Sequence, residues 1–264
     1  MTTRRFLRWA APFFLMAMVS AGQAAEADSA RAWSHEATVY FWLPDVDGTS
    51  TYPSPGGDVS VDASDILSAL DMAFMGVLES RRGPWSIVAD FIYLDLSDSG
   101  DTVLRRPQGP GIIGIPARVD MGLKGWTSSL LLGHALHETG DYRVDVAAGM
   151  RYFDLDGDAS LTLTGPVLPN PPALQLEESV QLLDAILAVR GRYAFNDAWS
   201  LRYHLDFGTG DSDLTWQAAG GLVWDRSWGN VKLYYRHLAY DQKDGGLLED
   251  FSFSGPLLGV GFRF

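Results

Sequence analysis

The sequence predicts an all-β fold, a closed antiparallel transmembrane β-barrel of about ten strands, with eight as the alternative count. Three observations lead there. The last third of the chain, Val180 to Phe264, holds runs in which large apolar residues alternate with polar or charged ones. Short turns alternate with longer polar connections, the rhythm of a barrel with a turn side and a loop side. No stretch beyond the first 24 residues is apolar enough for a membrane helix. A membrane-embedded chain of this kind must close a barrel, because open sheet edges cannot be satisfied in hydrocarbon.

The front of the 264-residue chain reads as an export signal. Arg4, Arg5 and Arg8 precede an apolar run, Trp9 to Val19, and small residues follow at Ala21, Gly22 and Ala24. That run is shorter than the roughly 20 residues a spanning helix needs, and the pattern is a secretory signal over 1–24. Residues 25–34 form a short polar lead, and 35–264 the barrel. Losing the three arginines leaves 20 − 3 = 17 basic against 33 acidic residues, net −16. Such a balance argues against nucleic acid as a partner, since phosphate binding needs a basic footprint. The chain has no cysteine, so no disulfide is available to an exported fold.

The strands follow in order. His35 to Leu43 places Ala37, Val39 and Phe41 on one face, and Glu36, Thr38, Tyr40 and Trp42 on the other. Pro44 ends it. Asp45 to Asp65 is a long connection, with a helical turn at Ile66 to Leu70 capped by Ser64. Met72 to Ser80 and Trp85 to Leu96 flank a tight turn at Arg81-Arg82-Gly83-Pro84. Ser97 to Ala117, punctuated by glycine and proline, reads as a second long connection. Val119 to His137 turns at Glu138 to Asp141 into Tyr142 to Leu155. Gly165 to Glu177 leads to Val180 to Tyr193. Trp199 to Gly208 has the cleanest alternation: Trp199, Leu201, Tyr203, Leu205 and Phe207 oppose Ser200, Arg202, His204, Asp206 and Gly208. A polar connection leads on to Leu214 to Asp225. Val231 to Tyr240 and Phe251 to Phe264 complete the count. Trp85, Tyr142, Tyr193, Trp199, Trp224 and Trp228 stand beside the short turns, where an interfacial girdle places aromatics.

The segments AFMGVLESRRGPWSIVADFIYLDL (residues 73–96), LLDAILAVRGRY, DLTWQAAGGLVW, YYRHLAYD and the closing GPLLGVGFRF resemble a broad family of small Gram-negative outer-membrane barrel proteins, mostly uncharacterised. The resemblance covers under half of the chain. It implies an outer-membrane barrel whose terminal aromatic strand, with Phe262 and Phe264, is read by the outer-membrane assembly machinery. Thr209 stands where a second glycine is expected after Asp206-Phe207-Gly208.

If the apolar faces meet lipid, the lumen receives Glu79, Asp90, Arg143, Asp145, Arg151, Asp184, Arg190, Arg192, Arg202, His204, Asp206 and Arg236. A narrow interior cannot leave ions unpaired, so these groups are expected to form a hydrogen-bonded charge network. The excess acid then belongs to the outer connections, as Asp45, Asp47, Asp58, Asp62, Asp65, Asp98 and Asp101 suggest.

The expected role is structural or interactive, with surface-presented loops and outer-membrane lipid as surroundings. A narrow passive pore is the alternative, and a rim hydrolase built on His204 and Asp206, with Asp95 or Asp98 brought in by loops, ranks lower. No catalytic set, metal or cofactor is assigned. Asp154-Leu155-Asp156-Gly157-Asp158 and Asp45-Val46-Asp47-Gly48 look like calcium loops, but the twelfth position is Gly165 in one and Gly56 in the other, where an EF-hand needs Glu. A soluble exported sandwich, its alternating faces packed on a second sheet, remains the non-membrane alternative.

Overall fold

A computed structural model describes residues 32–264 apart from 51–56, 109–110, 164–172 and 243–247. Residues 1–24 and most of the polar lead, the middle of the first long connection, most of the connection from Gly165 to Glu177, and residues 243–247 before the last strand lie outside the described residues. Among the described residues twelve strands form one antiparallel sheet. Ten of them close a barrel: β1 (Ser34–Trp42), β4 (Leu70–Arg82), β5 (Trp85–Gln108), β6 (Gly111–Glu138), β7 (Tyr142–Leu163), β8 (Ala173–Ala194), β9 (Trp199–Gly210), β10 (Ser212–Arg226), β11 (Gly229–Gln242) and β12 (Leu248–Arg263). The closing seam pairs β1 with β12, from Glu36↔Arg263 to Trp42↔Leu257. Above that point β12 changes partner to a small hairpin, β2 (Asp45–Ser50) with β3 (Gly57–Val61).

The ten-strand reading holds, and several connections need correction. The first long connection contains the β2–β3 hairpin, then a helix, α1 (Ala63–Ser68), whose N-cap is Asp62 rather than Ser64. Ser97 to Ala117 is not a loop. β5 and β6 stay in register from Trp85↔His134 to Gln108↔Gly111. Among the described residues this part of the sheet is an edge, which tolerates Pro107 and Pro116. Pro116 lies beyond the last β6–β7 pair, Ala117↔Leu163, so a missing N–H can face away from any partner. The connection after β9 is also shorter than expected, with Asp211 alone between the strands and a register shift at Ser212/Leu214. At the Gly83-Pro84 turn, Gly83 takes φ 56°, which a side chain would resist.

The faces divide as a transmembrane barrel requires. Val39, Phe41, Ile87, Leu130, Leu132, Leu187, Leu205, Leu233 and Leu258 point outward, exposed, and Phe207 is 60% exposed. A folded chain does not leave so continuous an apolar surface to water. Aromatic rings edge this belt at both ends. Trp85, Tyr142, Tyr193, Trp199 and Trp228 lie exposed at the short-turn end. Phe74, Phe91, Trp126 and Tyr152 form a chain of ring contacts at the other, with centroids 6.2, 5.9 and 4.7 Å apart. Eight residues separate Trp85 from Tyr93, about 26 Å along the strand and about 20 Å of height at a tilt near 40°.

Beyond the upper belt β5 to β8 continue while β9 to β11 stop. The extension amounts to about 50 Å of strand from Tyr93 to Gln108. These four strands form a blade. Its outward face carries Asp95, Lys124, Asp154, Asp156 and Asp158, and its other face carries exposed Met121, Leu123, Leu174 and Leu176.

Candidate functional site

The barrel interior has two zones. Toward the tall end, inward-facing residues form an apolar plug: Tyr40, Trp42, Met75, Ile92, Phe153, Leu182, Leu238, Tyr240, Phe251 and Leu257 are buried together. Phe153, Tyr240 and Phe251 sit at its centre, with ring centroids 5.0 to 5.3 Å apart. Toward the short-turn end lies a cup of about 820 Å³ walled by charged side chains and reaching the start of β1 at Ser34 and the end of the barrel at Phe264. Between the plug and the charged wall a second apolar cluster, Val88, Leu131, Ala147, Ile186 and Ala188, packs the barrel wall.

The deepest charge pair is Arg151 with Asp206. Arg151 Nη2 donates to both carboxylate oxygens at 2.8 and 2.7 Å, Nη1 donates to Thr215 Oγ1 at 3.1 Å, and Nε to Ser129 Oγ at 3.1 Å. The two side chains are 1% and 0% exposed. His204 Nε2 lies 2.5 Å from Asp206 Oδ2. Beside them Arg236 pairs with Asp90 at 2.9 Å, Tyr40 donates to the same carboxylate at 2.6 Å, and the Arg236 guanidinium stacks 4.9 Å from the Trp42 ring. This contact joins the charged zone to the plug.

Nearer the opening the pairs become chains. Glu79 bridges Arg81 and Arg190, the second at 2.9 Å; Asp145 bridges Arg81 at 3.1 Å and Arg143 at 2.9 Å. Arg143 also reaches Glu138 at 2.7 Å. Glu36 receives Lys232 at 2.6 Å, Arg202 at 3.2 Å and Asn230 at 2.7 Å. Asp225 is held by Arg263 and accepts from Ser200 Oγ at 3.0 Å. Arg192 comes no nearer than 3.8 Å to Asp225.

All twelve residues the alternation assigns to the lumen face the interior. Eleven line the cup; the twelfth, Asp184, is buried directly opposite Arg151 across β7 and β8, where it accepts from Ser212 N at 2.9 Å and Ser212 Oγ at 2.8 Å and fixes the tight β9–β10 turn. His204 and Asp206 line the cup at mid-barrel rather than the tall rim. Asp95 does not approach them; it sits on the outer face of β5 with Lys124 and Tyr93. Sequence reasoning left out Glu36, Arg81, Asp225, Lys232 and Arg263. The period of two already set Glu36 and Lys232 on inward faces. The other three stand at strand ends, where two residues of alternation carry little signal.

The fold and the site define a ten-stranded transmembrane β-barrel with a blind, charge-lined interior. No family model matches the chain, and no curated protein matches it either. Among solved structures it is similar to Gram-negative outer-membrane barrels. One is Ail, the attachment invasion locus protein of Yersinia pestis, at TM-score 0.34 and 10% identity over 89% of this chain and 99% of that one. Another is the translocator domain of the autotransporter NalP from Neisseria meningitidis, at 0.38 and 14% over 88% of each chain. A third is the toluene transporter TodX of P. putida, at 0.32 and 11% over 88% and 89%. At these scores no role passes from them to this chain.

Proposed function

We propose that the protein is an integral outer-membrane barrel of a Gram-negative envelope, in which the barrel is the anchor and the blade is the interacting part. The apolar plug carries this reading. A conducting lumen needs a continuous wet path, and ten strands leave little width for one. Here the path from the cup meets packed aromatic rings. The blade supports the second half of the reading, since a barrel that served only to span would not need about 50 Å of strand beyond its belt.

By the barrel convention the short turns and termini face the periplasm and the blade faces outward. Export then rests on residues 1–24 as a cleaved signal, lipid surrounds the apolar belt, and the assembly machinery reads Phe262 and Phe264. Catalysis forms no part of the proposal: both oxygens of Asp206 are engaged by Arg151, and its contact with His204 shares one of them.

A passive pore is the second reading, favoured by the 820 Å³ cup, and it requires the plug to part. Planar-bilayer recording of the refolded mature chain separates the two. Wild type and the Arg202→Ala/Asp206→Ala variant are expected to give no steady conductance, whereas Phe153→Ala/Phe251→Ala, which opens the plug, conducts. Steady wild-type steps whose ion selectivity changes in the charge variant would replace the anchor reading with the pore.

A further inference from the structure

The wall of the cup contains an arrangement that charge pairing alone does not explain. Arg143, Arg192 and Arg202 are direct cross-strand neighbours in one row of β7, β8 and β9, through the register Arg143↔Arg192↔Arg202. Side chains directly opposite in antiparallel strands have Cβ atoms about 4.5–5.5 Å apart, and like charges there repel. The outer two are compensated: Arg143 by Asp145 and Glu138, Arg202 by Glu36. The middle one is not. Arg192 has a single carboxylate at 3.8 Å, already held by Arg263, and its side chain is 41% exposed toward the cup.

Two further observations point the same way. Within the wall of this layer Arg81, Arg143, Arg190, Arg192, Arg202, Lys232 and Arg263 face Glu36, Glu79, Asp145 and Asp225, with Glu138 and Asp197 at the exposed rim. With the rim acids counted this is seven cations against six carboxylates, within a chain of net charge −13. Three guanidinium donors of the layer, Arg190 Nη1, Arg192 Nε and Arg202 Nε, are buried without an acceptor among the described residues. Buried donors are ordinarily satisfied.

We infer that the cup is a binding site for a small anionic solute, a phosphate or carboxylate held by the Arg143–Arg192–Arg202 row with Arg192 as its principal contact. Guanidinium forks match the planar or tetrahedral oxygens of both classes. An anion seated there removes the repulsion along the row. Because the plug closes the far end, the solute would be bound from the termini side and held rather than passed through.

Calorimetric titration tests this with the full mature barrel refolded in an uncharged detergent at low salt. The probes are inorganic phosphate and succinate. The expected result is saturable binding of at least one, weakened at least about tenfold by Arg192→Gln and unchanged by Arg118→Gln, which removes the same charge from the exposed blade. Binding of phosphate alone assigns phosphorylated solutes, and of succinate alone assigns carboxylates. A denaturant titration provides an independent reading: the bound probe raises the wild-type midpoint by ligand linkage and leaves that of Arg192→Gln in place. No saturable binding of either probe, equal binding by Arg192→Gln, or equal loss in Arg118→Gln would each overturn the assignment.

Discussion

Replacing Arg151 with Met should be among the most damaging single changes in the barrel, and the reason can be put to a quantitative test. Arg151 is fully enclosed and gives hydrogen bonds to Asp206, Thr215 and Ser129. Methionine fills much of the same volume but removes the charge, leaving Asp206 buried with His204 as its remaining partner. Breaking one side of a buried pair costs about 3–5 kcal/mol, and at about 1.4 kcal/mol per factor of ten that is a loss of two to three and a half decades in the folding equilibrium. Removing both charges should behave differently, because neither desolvation penalty remains. Arg151→Met/Asp206→Leu should recover most of the loss, since apolar replacement of a buried pair is often neutral. The assay is equilibrium denaturation of the refolded barrel in lipid vesicles, followed by tryptophan fluorescence, on wild type, both single variants and the double variant. A double variant as unstable as the sum of the singles would refute the reasoning and show that volume, not charge pairing, holds this part of the interior.

The remaining predictions concern the ends of the strands. Excising residues 99–120 and joining Asp98 to Met121 through Asn-Gly should leave denaturant stability within about 0.5 kcal/mol of wild type, because the cut joins paired positions; unfolding curves of the two proteins in the same vesicles check it, and a large loss would make the blade part of the barrel's support. Deleting Phe264 should slow insertion in cells far more than it lowers the stability of the refolded protein. Its ring stacks on His35 at 5.5 Å but stays exposed, so equal losses in a pulse-chase assembly assay and in denaturation would deny it a role in assembly.

Much of the fold was legible because a membrane barrel writes its two environments onto alternate residues. Leu201, Leu205 and Phe207 against Arg202, His204 and Asp206 is the same division that the structure shows. What could not be read was continuation beyond the membrane. Just above the upper belt Ser97 to Asp101 are exposed on both faces of β5, so the period of two is lost and the stretch looks like loop. The plug was hidden for a related reason. Phe153, Phe251 and Tyr240 are inward-facing aromatics, and alternation alone cannot tell an apolar residue facing lipid from one facing a filled lumen. The pairing partners were also out of reach: Arg151 and Asp206 are 55 positions apart in the chain, and only their place around the closed sheet brings them together.

The seam between β1 and β12 has a consequence for how the molecule comes into being. It is the pairing that joins the two ends of the chain, and it is brief, running from Glu36↔Arg263 to Trp42↔Leu257, whereas β5 and β6 pair from Trp85 to Gln108. Every other barrel pairing joins strands consecutive around the barrel, most across short connections and β1 with β4 across the β2–β3 hairpin and α1. The seam closes a loop of more than 200 residues, as does the β2–β12 pairing that continues it, at a high cost in chain entropy. Loop-closure entropy favours forming the hairpins before the seam. Glu36, which gathers Lys232, Arg202, Asn230 and Arg263 from three different strands, is the clasp that fastens the seam.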